Sequence, residues 1–201
     1  KTLSADNVYI NGSRNKFMDS YLDSMISDTK VGTGLPPCTA VDKSEDTDLN
    51  GKSLVTSRLR DTDVETLSIK DNKNGTVTLT IKPKSVQMSS PGADAQGRFF
   101  STLGPMYDTF DQMLKQNGGK WTTGNAKNNL HMNYTGGTGT ITINTSSGKI
   151  TKATYNMKVN VDVQHVTVSS MKDQRVQLRV IVKDTFPMSQ ELFDSSNLER
   201  L

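Results

Sequence analysis

The strictest constraint on the fold is a run of alternating side chains from Lys152 to Gln164, KATYNMKVNVDVQ. Apolar and polar residues take turns without a break from Ala153 onward. Because successive side chains of a strand point to opposite faces, this run predicts one strand with an apolar face and a polar face. Such a strand is about twice the usual length of roughly 5–6 residues. Since strands twist, we expect a strongly curved sheet that wraps around its apolar side.

The alternation changes parity at Gln164 and His165, because Val163 precedes this pair at an odd position and Val166 follows it at an even one. A shift of one residue is typical of a β-bulge or a tight bend. Alternating segments on both sides of the long strand predict an antiparallel meander over residues 138–184. We expect an irregular tail over residues 185–201.

A hairpin is predicted over residues 61–82, where apolar residues alternate on both sides of DNKNG. Asn and Gly suit such a turn because they tolerate positive φ angles. The meander and the hairpin together account for most of the predicted sheet.

Two segments carry apolar residues at helical spacing. Residues 13–30 predict an N-terminal helix that begins at Ser13, since a serine hydroxyl can accept a free amide of the first turn. Residues 98–117 predict a central helical segment that is broken at Gly104-Pro105. Helices that are separated in sequence from an antiparallel sheet indicate the α+β class, and we expect a single domain over residues 1–201.

Charge and cysteine content exclude several classes of function. The 24 basic and 21 acidic residues give a net charge of +3, too small for the basic field of a nucleic-acid-binding protein. The only cysteine, Cys38, excludes an internal disulfide and a cysteine-pair metal site. No apolar run approaches the ~20 residues of a transmembrane segment. The chain opens with Lys1, so we expect that a leader or an anchor cysteine preceded it.

One segment resembles the start of a calcium loop. In DTDLNG, the oxygen-bearing residues Asp46, Asp48 and Asn50 occupy the first, third and fifth positions, and glycine occupies the sixth. The twelfth position should hold a bidentate glutamate, but Ser57 stands there. The sequence therefore favours a solvated acidic loop over a metal site, and we expect no cofactor.

Catalytic motifs are not evident either. Neither His131 nor His165 lies in a zinc-binding HExxH pattern, and there is no G-x-S-x-G nucleophile motif. Cys38 follows two prolines rather than starting a helix that would lower its pKa, which disfavours a Cys–His dyad. We expect a protein that is not an enzyme, with a hydrolase as the weaker alternative.

Nine methionines suggest an adaptable apolar surface, because methionine side chains are flexible and polarizable. If the helices and the long strand enclose a cavity for a lipid or another apolar ligand, we expect nine residues to line it: Phe17, Tyr21, Met25, Phe99, Leu103, Met106, Phe110, Met157 and Val159. In the alternative, the same side chains fill the core, and the chain is a structural or interaction domain with a cell-surface protein partner.

The order of elements resembles that of bacterial exported lipoproteins of the lipoprotein-carrier type (LolA/LppX-like). The matching segments are FMDSYLDSMI, NGTVTLTI, FFSTLGPMYDTFDQML and GTITINTSSGKITKATYNMKVNVDV, which together cover most of residues 13–184. The resemblance implies a half-barrel with helices packed on its concave face. It also implies a non-catalytic protein, extracellular or anchored at the cell envelope, that binds a lipid or another apolar group.

Overall fold

The computed structural model of the chain describes residues 2–20, 59–100, 102, 104–148, 150–168 and 170–187. These residues form one large antiparallel sheet that is not closed, together with a few short helices. The strands are β1 (Thr2–Ile10), β2 (Ser13–Arg14), β3 (Val64–Asp71), β4 (Thr76–Pro83), β5 (Val86–Gln87), β6 (Gly119–Trp121), β7 (Leu130–Tyr134), β8 (Thr138–Asn144), β9 (Ile150–Val168) and β10 (Met171–Pro187). The helices are α1 (Ala95–Phe99), α2 (Tyr107–Gln116) and α3 (Ala126–Asn129).

The long alternating segment is β9, and it is the central strand of the sheet. One edge of β9 pairs with β10, and the other edge pairs in succession with β8, β7 and β6. The main path of the sheet runs β2-β1-β10-β9-β8-β4-β3, and β5 adds to β7. Because β9 is so long, three shorter strands pair one after another along the same edge of it.

The core lies on the apolar face of β9, where Tyr155, Met157 and Val159 are buried. The rings of Phe99 and Phe100 cover this face, with the Phe99 ring centroid 5.5 Å from that of Tyr155. Each large side chain that is fully buried contributes about 1.5–3 kcal/mol to folding. The one-sided burial predicted for the long strand is confirmed at these three positions.

The parity change in the long strand is a β-bulge, as predicted. Gln164 and His165 together stand opposite Arg175 of β10, and His165 has a φ of 52°. A second bulge, which the sequence did not predict, places Asn7 and Val8 of β1 opposite Leu178. Bulges bend and twist the strand that carries them, so both edges of β10 adjoin a bent neighbour.

The hairpin is confirmed, with β3 and β4 as its strands. In its turn Gly75 takes a left-handed conformation, as predicted, and Lys73 does so rather than an asparagine. The first predicted hairpin residues, 61–63, form a 3-10 helix instead. They do so because the Asp63 carboxylate turns back and accepts a hydrogen bond from the Arg60 amide at 2.8 Å. The same carboxylate forms an ion pair with Arg98.

The central helical segment is interrupted, as predicted, but the interruption is longer than a break at Gly104-Pro105. The described residues 100, 102 and 104–106 are not helical, and Gly104 has a φ of 70°. Its first part is α1, which begins at Ala95 rather than at residue 98. The earlier start follows from Asp94, whose side chain caps the helix by accepting a hydrogen bond from the Gly97 amide at 2.9 Å. The second part, α2, begins at Tyr107, two residues after Pro105.

The prediction that the N-terminal helix begins at Ser13 was wrong. Ser13 lies in β2, and residues 16–20 are helical. Asn15 provides the cap, because its side-chain oxygen accepts a hydrogen bond from the Met18 amide at 3.0 Å. Residues 21–30 of the predicted helix lie outside the described residues.

Both ends of the described chain contribute more strand than the sequence predicted. β1 was not predicted, because the bulge at Asn7 interrupts its alternation. Residues 185–187 continue β10 rather than belonging to an irregular tail, since they still pair with β9. The remaining tail, 188–201, lies outside the described residues. No helix among the described residues is long and apolar enough to span a membrane.

A polar cleft across five strands

A cleft of about 680 Å³ lies over the polar face of the sheet, on the side away from the core. Most of its lining residues belong to β1, β5, β7, β9 and β10, while Gly12 lies between β1 and β2 and Met88 follows directly after β5. These five strands are connected through strand pairing. Most of the lining residues are polar, which distinguishes this cleft from the apolar cavity that the sequence predicted.

The first row of the cleft floor crosses all five strands. Strand registers place Gln87 opposite Asn133, Asn133 opposite Asn160, and Asn160 opposite Arg179. Asp6 of β1 stands opposite Arg179 and ends the row. Residues that face each other on paired strands lie on the same face of the sheet, about 5 Å apart. The row therefore presents a line of polar groups about 19 Å long.

A second row runs parallel to the first, two residues further along the strands. It places His131 opposite Asp162, Asp162 opposite Gln177, and Gln177 opposite Tyr9. The Tyr9 ring has the guanidinium of Arg14 over one face, 5.5 Å from its centroid. This row ends in an aromatic wall and completes a grid of side chains on one sheet face.

The charges in the grid are paired. Arg175 donates from Nε and Nη2 to the two carboxylate oxygens of Asp162, at 2.9 and 2.7 Å. Arg179 binds Asp6 in the same way, at 2.8 and 2.6 Å. The hydrogen bonds from Arg175 hold the pKa of Asp162 below its ordinary value, with help from the Gln164 amide and against the effect of burial. Each guanidinium thus has a carboxylate partner, and the floor carries little net charge.

The amide side chains of the grid are available to a ligand. In the described part of the chain, Asn133, Asn160 and Gln177 make no side-chain hydrogen bond. Asn133 and Asn160 are exposed, and Gln177 is half-buried. Each amide offers two N–H donors and one carbonyl acceptor. Three neighbouring amides therefore offer both hydrogen-bond donors and acceptors on one face of the sheet.

The position of the cleft follows from irregularities in the surrounding strands. Asn7 and Met88, which both border the cleft, have positive φ angles of 55° and 50°. The Asn7 side-chain oxygen accepts a hydrogen bond of 2.6 Å from Arg14, which fixes the bulge in β1. The Met88 sulfur accepts one of 3.1 Å from the Met132 amide. Such backbone conformations cost stability and persist only where the surrounding structure holds them, and they are concentrated at functional sites.

The residues predicted to line an apolar cavity lie in different places. Phe99, Met157 and Val159 are buried together in the core, and Phe110 packs against it. Met106 is half-buried. Phe17 is 78% exposed, because the helical residues begin at Lys16, directly after β2, and this puts Phe17 in the first turn. Tyr21, Met25 and Leu103 lie outside the described residues, so the cavity itself stays a prediction.

Of the other residues that the sequence singled out, some lie outside the described residues and others lie within them. Cys38 and the loop residues Asp46, Asp48 and Asn50 lie outside the described residues. Within the described ranges, no three His, Cys, Asp or Glu side chains cluster to hold a metal ion. His165 stands at the bulge and binds Asp173 at 2.8 Å.

For His131 the sequence analysis established only that it lies outside a zinc-binding pattern, and the structure places it in the cleft. The signal that could have located it was the segment LHMNY, which alternates between buried and exposed side chains as β7. No protein-family model matches the chain, and no curated protein or solved structure matches it.

Proposed function

We propose that this chain is a non-catalytic binding protein whose polar cleft holds a neutral oligosaccharide. The observation that carries the proposal is the pair of registered rows, in which free amides and neutralised ion pairs lie on one face of the sheet. A cleft of about 680 Å³ falls within the usual range of roughly 300–1,000 Å³ for small-ligand sites.

The chemistry of the grid favours hydroxyl groups over charged groups. A sugar hydroxyl both donates and accepts hydrogen bonds, and so does each side-chain amide of Asn133, Asn160 and Gln177. An anionic ligand would require a free cation, but Arg175 and Arg179 already bind Asp162 and Asp6. Tyr9 adds an aromatic surface, which combines an apolar ring with a polar tip.

The same ion pairs argue for binding rather than cleavage. A glycosidase needs one protonated carboxyl group to donate a proton to the leaving oxygen. Asp162 accepts two hydrogen bonds from Arg175 and has a lowered pKa, so it stays ionised at neutral pH. Asp6 is held in the same bidentate way by Arg179. Asp162 is therefore not prepared to act as a general acid.

The sequence resemblance adds the location and the finer shape to this proposal. We propose on this resemblance that the open sheet is a strongly curved half-barrel of the lipoprotein-carrier type. We also propose that the protein is extracellular or held at the cell envelope. A protein at that location meets polysaccharides, which fits the polar cleft. Binding of a lipid between sheet and helices stays a prediction from the sequence, and a cell-surface protein partner does so too.

Calorimetric titration with neutral hexasaccharides, such as cellohexaose, chitohexaose and maltohexaose, tests the proposed function. We expect at least one to bind, and we expect Asn133→Ala/Asn160→Ala to weaken it about tenfold, since each lost hydrogen bond costs about 0.5–1.5 kcal/mol. Gln112→Ala, an exposed change on α2, should leave binding unchanged.

Three other results would contradict the proposal. One is binding of an acidic oligosaccharide with no neutral one. Another is release of new reducing ends, which would indicate a hydrolase. The third is binding of a fluorescent fatty acid that Met106→Trp abolishes, with no saccharide bound, which would favour the apolar cavity.

A further inference from the structure

Strand β3 forms one edge of the sheet, and its side chains are exposed from Glu65 to Asp71. Among the described residues it pairs with β4 alone. Leu67 and Ile69 are 55% and 66% exposed, although they share a face with the core. An exposed edge with apolar side chains readily pairs with a further strand, because the outward backbone groups of an edge strand lack partners within the sheet.

The hairpin turn shows which backbone groups of β3 point outward. The Asn72 amide donates to the Thr76 carbonyl at 3.0 Å, so this pair is hydrogen-bonded across the hairpin. Hydrogen-bonded and non-hydrogen-bonded pairs alternate along an antiparallel ladder. Lys70 and Ser68 therefore bond to β4. The amide and carbonyl groups of Leu67, Ile69 and Asp71 point away from it, toward the free edge.

We propose that two copies of this chain pair through β3, antiparallel, about a two-fold axis at Ser68. This register places Leu67 of each copy beside Ile69 of the other and brings four exposed apolar side chains together. An axis at Leu67 would instead place Ile69 opposite Glu65, and an axis at Ile69 would place Leu67 opposite Asp71. Only the register centred on Ser68 keeps both apolar residues away from a carboxylate.

The charges on β3 are compatible with this register. It places Glu65 opposite Asp71 of the second copy, but each carboxylate already binds a lysine of its own chain. Lys82 lies 2.8 Å from Glu65, and Lys73 lies 2.9 Å from Asp71. The interface is isologous, since the same strand serves both copies, and it therefore closes as a dimer.

Sedimentation equilibrium of the full chain tests the dimer. We expect a reversible monomer–dimer equilibrium, and we expect Ile69→Lys to weaken it at least about tenfold by placing a charge beside Leu67. Met171→Lys is the matched control, because Met171 is also an exposed apolar residue, 50% accessible, on a different strand. A chain that stays monomeric at millimolar concentration overturns the proposal, and so does an equal effect of both substitutions.

Disulfide trapping tests the register itself, in a Cys38→Ser background. Ser68 faces its own symmetry mate in a non-hydrogen-bonded pair, where Cα atoms are about 4.5 Å apart and a disulfide fits. Ser68→Cys should therefore form a covalent dimer on mild oxidation. Thr66→Cys should not, because its two copies would lie about 14 Å apart along the strands. Equal trapping at both positions would exclude the register centred on Ser68.

Discussion

The guanidinium of Arg175 spans the bulge of β9 and binds both carboxylate oxygens of Asp162, at 2.9 and 2.7 Å. Arg175 is the residue that stands opposite the bulged pair, and Asp162 belongs to the second row of the cleft. The ion pair thus connects the irregular part of the sheet to the cleft floor. The Asp162 carboxylate thus lies in the cleft with its charge neutralised by Arg175.

This pair predicts an acid-dependent part of the stability. The pKa of Asp162 in the folded chain lies below its ordinary value of 3.8, chiefly because Arg175 hydrogen-bonds the ionised form. Its contribution is therefore complete above that ordinary value and is lost as the pH falls through the lower folded pKa. The free energies of unfolding in urea of the wild type and of Asp162→Asn should differ at neutral pH. The difference should begin to shrink near pH 3.8 and should vanish as the pH falls through the lower folded pKa. A difference that grows in acid would contradict this assignment.

Two adjacent residues of β9 should respond oppositely to the same substitution. Val159 is 2% exposed in the core, whereas Asn160 faces the cleft and is exposed. Val159→Asp should destabilise by about 3 kcal/mol or more, because it buries an unpaired charge. Asn160→Asp should stay within about 0.5 kcal/mol. Equal shifts of the two urea midpoints would refute the one-sided burial of this strand.

Gly139 of β8 is a position where any side chain would collide with the core. A Cβ atom built there would stand 2.3 Å from Cζ of Phe99 and 3.3 Å from Cδ1 of Tyr155. Gly139→Ala should therefore cost about 1–3 kcal/mol through overpacking. A double-mutant cycle with Phe99→Leu checks the cause, since the smaller ring-free side chain should relieve part of that cost. Strict additivity of the two substitutions would place the effect elsewhere.

The buried ion pair of Asp63 and Arg98 should be far more important than an exposed one. Arg98 donates to both Asp63 oxygens, at 2.7 and 2.5 Å, and both residues are buried. Asp63→Asn should cost about 3–5 kcal/mol, because it leaves the guanidinium buried without a counter-charge. The control is Glu65→Gln, which breaks the exposed pair with Lys82 and should cost about 1 kcal/mol or less. Thermal unfolding that ranks the two in reverse would contradict the burial.

The sequence predicted the central strand well, because one-sided burial imposes a strict period of two on its side chains. Val159 and Asn160 show this period, and the parity change at His165 marked the bulge. It did not predict β1, where the bulge at Asn7 breaks the same period within a few residues. Periodicity therefore located regular elements and missed the strand whose irregularity helps to form the cleft.

The cleft could not be predicted from sequence because its rows join residues that are far apart along the chain. Asp6 and Arg179 are 173 positions apart, yet they are direct neighbours across β1 and β10. The polar side of β9 was predicted to face water, and Asn160 does so. The strand order could not be predicted from the sequence, and it is the strand order that places Asn133 and Arg179 on either side of Asn160.

Nuclear magnetic resonance of the side-chain amides tests the central claim most directly. During titration with a neutral oligosaccharide, the NH₂ signals of Asn133, Asn160 and Gln177 should shift together and saturate with a common Kd. The exposed side-chain amide of Gln112 on α2 should stay in place. Saturable binding that moves other signals and leaves these three unchanged would contradict a ligand site in the polar cleft, and so would the absence of any saturable shift across the neutral oligosaccharides.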